Sequence, residues 1–136
     1  MLEPRFGSDG IDRVTFAPVE LIDQRHSEWK DVRLCFDAWA YLRAVCGSDS
    51  EGHTYLNGFY LNGYGVEGLI KACRFRAGLD PDAEGIHYNS EGDTCFIHFS
   101  KLEDAVRTAQ LASRMLRDRR KIAAMIEVAR AHGFGY

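Results

Sequence analysis

No apolar run in this 136-residue sequence reaches the length that spans a bilayer, which argues against a transmembrane helix. The first residues, Met1-Leu2-Glu3-Pro4-Arg5-Phe6-Gly7, lack the basic and then apolar stretch of a secretory signal. A basic excess is missing as well. Seventeen Lys and Arg stand against 20 Asp and Glu, a net charge of −3, whereas a dedicated nucleic-acid binder normally carries a basic footprint. Cys35, Cys46, Cys73 and Cys95 form no C-x-x-C pair and lie among apolar neighbours. They read as reduced, core-filling thiols rather than a disulfide framework. What is present suffices for a core: 46% of residues are apolar and 12% aromatic, in a chain of ordinary single-domain length. The expectation is one cytoplasmic domain over residues 1–136, with residues 1–12, rich in Gly, Asp and Pro, as a loose N-terminal arm.

Periodicity gives the element order. Val14 and Phe16 alternate, as do Val19 and Leu21, which predicts a strand that Pro18 confines to an edge or a bulge. Asp23 to Glu28 is a polar loop, and Val32, Leu34 and Phe36 then share one face of a second strand, so the pair reads as a hairpin. Asp37 is placed to cap a helix carrying Trp39, Leu42, Val45 and Cys46, with Gly47 to end it. A tetrapeptide echo follows, Tyr55-Leu56-Asn57-Gly58 and Tyr60-Leu61-Asn62-Gly63, which reads as two successive turns because Asn-Gly favours positive φ. Val66, Leu69, Ile70, Cys73 and Ala77 line a helix closed by Gly78. Ile86 to Tyr88 and Cys95 to Phe99 flank a turn at Asn89 to Asp93, a second hairpin. Ser100 and Glu103 have the spacing of a capping box before a stripe from Leu102 to Leu116. The stripe's phase breaks near Asp118, and a last helix runs through Ile122, Met125, Ile126 and Ala129 to Gly133. The fold class is therefore α+β: a mainly antiparallel sheet built from two hairpins, helices on one face and a C-terminal antiparallel helix pair.

Chemistry is sparse. Cys95 and His98 lie three apart on a strand and point to opposite faces. If Tyr88 pairs with Thr94, His87 and Cys95 face one another, yet no other Cys or His completes a zinc set, so no metal and no cofactor is expected. Arg114, Arg117, Arg119, Arg120 and Lys121 form the one basic run, read as a solvated helix–helix corner. Gly63-Tyr64-Gly65 is no phosphate loop, and the H-E-x-x-H, G-x-S-x-G and EF-hand patterns are missing. Acids gather at Asp80, Asp82 and Glu84, and again at Glu91 and Asp93, where turn chemistry explains them. Aromatics and acids on loops without a catalytic set describe a binding surface rather than an active site.

Two stretches resemble a known family. Leu61-Asn62-Gly63-Tyr64-Gly65-Val66-Glu67-Gly68-Leu69 is similar to the G-N-G-Y-D-W-x-x-L motif that opens a helix in the immunity protein 51 family of bacterial polymorphic-toxin systems. Ile86 to Phe96 resembles that family's second signature, an apolar-x-aromatic-Asp-Pro-Glu-Ala-Gly turn leading into a strand. Gly65 and Val66 replace the family's usual Asp and Trp, and Asn89-Ser90 replaces Asp-Pro, so no role is carried over for the missing groups. The resemblance implies a small cytoplasmic protein, not an enzyme, that binds a cognate toxin domain and neutralises it by occlusion, with no nucleic acid or membrane as partner. The residues expected to face that partner are Tyr60, Asn62, Tyr64, Glu67, Glu91 and Asp93. Two alternatives stay open: a small Cys- or His-dependent enzyme, and a regulator that binds nucleic acid through the Arg114–Lys121 corner.

Overall fold

The elements in chain order are β1 (Ile11–Asp12), β2 (Glu20–Gln24), β3 (Asp31–Phe36), α1 (Trp39–Cys46), β4 (Tyr55–Leu56), β5 (Phe59–Tyr60), α2 (Gly63–Arg76), β6 (Ile86–Tyr88), β7 (Cys95–Phe99), α3 (Leu102–Leu116) and α4 (Arg119–His132). They are taken from a computed structural model, which describes residues 2–135. Five strands form one sheet in the order β1-β2-β3-β7-β6, antiparallel throughout, and β4 and β5 form a separate hairpin. Val32, Leu34 and Phe36 are fully buried while their neighbours Asp31, Arg33 and Cys35 are half-buried, the period-two signature of a sheet with one covered face. Cys95, Ile97 and Phe99 on β7 continue that covered face. Helix α3 packs over β2, β3 and β7, α2 packs against β7, and α4 packs on both α2 and α3. The fold is α+β, as its alternating and helical periods predict, and the last two helices lie against each other. All four cysteines are free thiols.

Four local expectations are corrected. The N-terminal arm is tied down from Arg5 onward, because Asp12 is only 1% exposed and organises it. Its carboxylate accepts from the backbone N–H of Arg5 at 2.7 Å and of Val14 and Thr15 at 3.0 Å, and Ile11 and Asp12 pair with Ile22 and Leu21. Those same bonds curl Val14 to Ala17 into a turn before a cis Ala17–Pro18 bond, so the expected strand begins only at Glu20. At α1 the Asp37 carboxylate caps nothing; the Trp39 amide donates instead to the Asp37 carbonyl, and Ala38 is the cap residue. At α3 Lys101 holds the cap position without a side-chain bond, because the Ser100 amide is engaged by the Gly85 carbonyl across the β6–β7 hairpin.

Asp12 carries a pH prediction. Burial pushes its carboxyl up, but the backbone N–H donors around it outweigh burial and hold it below the usual carboxylate value. A carboxylate depressed in the folded state adds stability above its unfolded pKa and loses it as pH falls through the folded one. Stability is therefore expected to drop below about pH 4. In Asp12→Asn the acid limb of a urea-midpoint-versus-pH curve becomes shallower, and stability at pH 7 falls by about 1–2 kcal/mol.

Candidate functional site

The two copies of the tetrapeptide fold differently, and the difference builds a surface. In the first, Asn57 and Gly58 both adopt positive φ, 52° and 78°, the two-residue turn that joins β4 to β5. Leu56 and Phe59 bury, which leaves the cross-strand pair Tyr55 and Tyr60 on the other side, rings stacked at 4.7 Å between centroids. Arg130 on α4 donates to the Asn57 carbonyl and fixes the turn to the helical layer. In the second copy Asn62 is a helix cap: its side-chain oxygen accepts from the Gly65 amide at 2.9 Å and starts α2. The reading of two turns thus holds for the first copy and is replaced by a cap for the second.

The start of α2 then butts against the β6–β7 tip. The Gly63 amide donates to the Gly92 carbonyl at 3.0 Å, and a Cβ on Gly63 would lie 1.8 Å from the Glu91 carbonyl oxygen. Gly65 is as tight, since its Cβ would lie 2.0 Å from the Tyr60 carbonyl oxygen. These glycines permit backbone-to-backbone contact, and the space that a phosphate would take at a glycine-rich loop is filled by the chain itself. The tip has its own bridge between Glu91 and Thr94. Trp39, at the start of α1, donates from its indole nitrogen to the Asp93 carbonyl at 2.7 Å and packs edge-on against Phe36 at 5.1 Å.

Between these pieces opens a cleft of about 190 Å³, walled by Trp39, Arg43, His53, Tyr60, Asn62 and Asp93. Three of the six residues expected from sequence, Tyr60, Asn62 and Asp93, meet here. Tyr64 is 39% exposed on the first turn of α2. Glu91 lies on the far flank of the tip, in a separate cleft with Asn89, Thr94 and Phe96. Glu67 stands one turn further along α2 and lies 3.7 Å from Lys71, whose ammonium sits over the Tyr88 ring. Sequence reasoning left out Trp39, Arg43 and His53. Trp39 reads as one more apolar helix position, and only its bond to a carbonyl 54 residues away reveals its place in the wall.

Of the groups that the enzymatic alternative would use, His98 lies 3.0 Å from the Asp31 carboxylate with the His87 ring beside it, whereas Cys95 is buried on the other face of β7. The β6–β7 register pairs Tyr88 with Ile97 and His87 with His98, so the conditional pairing of His87 with Cys95 does not occur. Asn89 and Ser90 lengthen the connection, since the Asn89 amide still donates to Phe96 and the Ser90 hydroxyl accepts from the Phe96 amide. Burial pushes the Cys73 thiol up to about 12 and the Cys35 thiol up to about 11, and it raises Cys46 and Cys95 as well. Near neutral pH such thiols are protonated and poorly nucleophilic. Among the described residues, no three His, Cys, Asp or Glu side chains are grouped to hold a metal ion, and no helix is long and apolar enough to cross a membrane. No protein-family model, curated protein or solved structure matches the chain.

Proposed function

We propose that this protein is an immunity protein, which binds the toxin domain encoded beside its gene and neutralises it by occlusion. The observation that carries this reading is the aromatic and polar surface around the cleft, with Trp39, Tyr55, Tyr60 and Asp93 held on the start of α1 and two hairpins that lock one another in place. Rigid aromatic anchors beside hydrogen-bonding groups are what protein interfaces favour, because the rings bury large areas at small entropic cost. Glu91 and Asp93 are exposed and, among the described residues, form no ion pair, so both are available to Arg or Lys on a partner. The resemblance of residues 61–69 and 86–96 to the immunity family falls on the two segments that meet at Gly63 and Gly92. Such a protein must bind tightly, and colicin nucleases with their immunity proteins are a known example near the affinity ceiling.

Growth rescue tests the reading. A bacterial host expressing the neighbouring toxin domain is expected to grow only when this protein is co-expressed. The double variant Tyr60→Ala with Asp93→Ala is expected to lose that protection while its melting temperature stays close to the wild type. Rescue by the double variant at wild-type strength would move the interface away from the cleft, and no rescue by the wild type would reject the function. Glu91→Ala, scored alone, tells whether the contact wraps over the tip.

A further inference from the structure

A second concavity lies at the other end of α2. Its floor is Cys73, Ala77, Leu111, Met115, Ala124 and Met125, contributed by α2 and its C-terminal cap together with α3 and α4, and its volume is about 250 Å³. Arg76, Arg114 and Lys121 stand around its mouth, and Arg107 extends the rim beside Ala77 and Leu111. No lining residue is acidic. All four cations are exposed, and among the described residues none has an ion pair or a side-chain hydrogen bond. Their sequence neighbours differ: Arg117 donates to the Ser113 carbonyl and Arg119 to the Cys46 carbonyl. The basic run is solvated throughout at the corner between α3 and α4, as expected, but its members have different partners. Part of it is spent on backbone, and part surrounds an apolar floor.

Four like charges around an apolar hollow repel one another and leave hydrocarbon in water. A single ligand type answers both: an alkyl chain against the floor and an anionic head among the guanidinium and ammonium groups. The volume lies just under the usual range for small-molecule clefts, about 300–1,000 Å³, which favours a short chain. Met115 and Met125 supply walls that adjust to chain shape. Asn62 caps one end of α2 and Arg76 is its last residue, so the groove and the aromatic cleft are about 20 Å apart along the helix.

We propose that this groove binds a short single-chain amphiphile with an anionic head, the simplest being a medium-chain fatty-acid carboxylate. The site does not depend on the toxin-binding reading. The probe is decanoate, followed in the spectrum of protein labelled with 13C at the methionine methyls. The Met115 and Met125 signals are expected to shift saturably with decanoate. Decanol, at equal concentration, should bind at least about tenfold more weakly, and decyltrimethylammonium should give no saturable shift. Arg114→Glu with Lys121→Glu should weaken decanoate about tenfold or more while the spectrum of the free protein is retained. Vesicles of phosphatidylglycerol test the single-chain assignment: decanoate binding without sedimentation assigns a free acid, and sedimentation that decanoate competes away would overturn it in favour of a two-chain membrane lipid. Absence of saturable shifts, equal affinity for decanol, or indifference to the charge reversal would overturn the proposal. So would duplex DNA that shifts the same signals where decanoate does not.

Discussion

Gly63→Ala is expected to lower stability by about 3 kcal/mol, and the melting temperature by roughly 10 °C. The added methyl would sit 1.8 Å from the Glu91 carbonyl oxygen and under 3 Å from the carbonyl carbon and oxygen of Thr94. All three are backbone atoms, so no side-chain rotation relieves the clash. Either α2 lifts off the β6–β7 tip, losing the Gly63–Gly92 hydrogen bond, or the tip unravels past its Glu91–Thr94 bridge. Both routes also open the cleft between Asn62 and Asp93, so under the toxin-binding proposal protection should fall with stability. Gly92→Ala is the control. Its Cβ would meet nothing within 4 Å, and the expected change is within about 0.5 kcal/mol. A chemical denaturation series on the two variants decides the matter, and equal midpoints would show that the α2 start does not press on the tip.

Arg74→Met is expected to cost about 3–5 kcal/mol although it preserves most of the side chain's bulk. Arg74 is 2% exposed, on the same side of α2 as Ile70. Its guanidinium donates to the Asp104 carboxylate at 2.7 Å, to the Thr108 hydroxyl at 2.7 Å and twice to the Asp80 carbonyl, at 2.8 and 3.1 Å. One side chain thus ties α2 to α3 and to the loop that leads into β6. Methionine would leave the fully buried Thr108 hydroxyl without this partner, at the cost of a buried polar group, and would release the Asp80 carbonyl as well. Arg74→Lys keeps the charge but not the fork geometry, and should recover only part of the loss. Urea midpoints at low and high salt complete the test. A loss below about 1 kcal/mol, or one that vanishes in salt, would mean that the pair behaves as a surface salt bridge.

These two residues mark where the sequence stops being readable. The alternation of Val32, Leu34 and Phe36, the stripe along α3, the phase break at Asp118 and the end at Gly133 are all local patterns, and the structure keeps them. Asp118 even caps α4, accepting from the Arg120 amide at 2.9 Å. Arg74 carries no such local pattern, because its side-chain partners lie 30 and 34 residues away and its third partner is a backbone carbonyl in a loop. The tetrapeptide echo shows the same limit. Asn-Gly supplies a turn in one copy and a helix cap in the other, and what decides is the tertiary neighbour: Tyr55 and Tyr60 pair across the first, whereas Gly92 waits for the amide of Gly63 at the second. Among the proposed binding residues, Tyr60 and Asn62 are legible as loop aromatics and amides, but their meeting with Trp39 and Asp93 is a product of the fold. The capping prediction at Ser100 misses for the same reason, since the Gly85 carbonyl engages that segment, whereas at Asp37 a local bond from the Trp39 amide to the Asp37 carbonyl replaces the cap.

The most direct test of the toxin-binding proposal is a calorimetric titration of the purified neighbouring toxin domain into this protein and into Tyr60→Ala with Asp93→Ala. The expected result is one-to-one binding at nanomolar affinity or tighter for the wild type, weakened by about 2–4 kcal/mol in the variant with melting temperature preserved. No binding by the wild type, or the same affinity in both proteins, would contradict it.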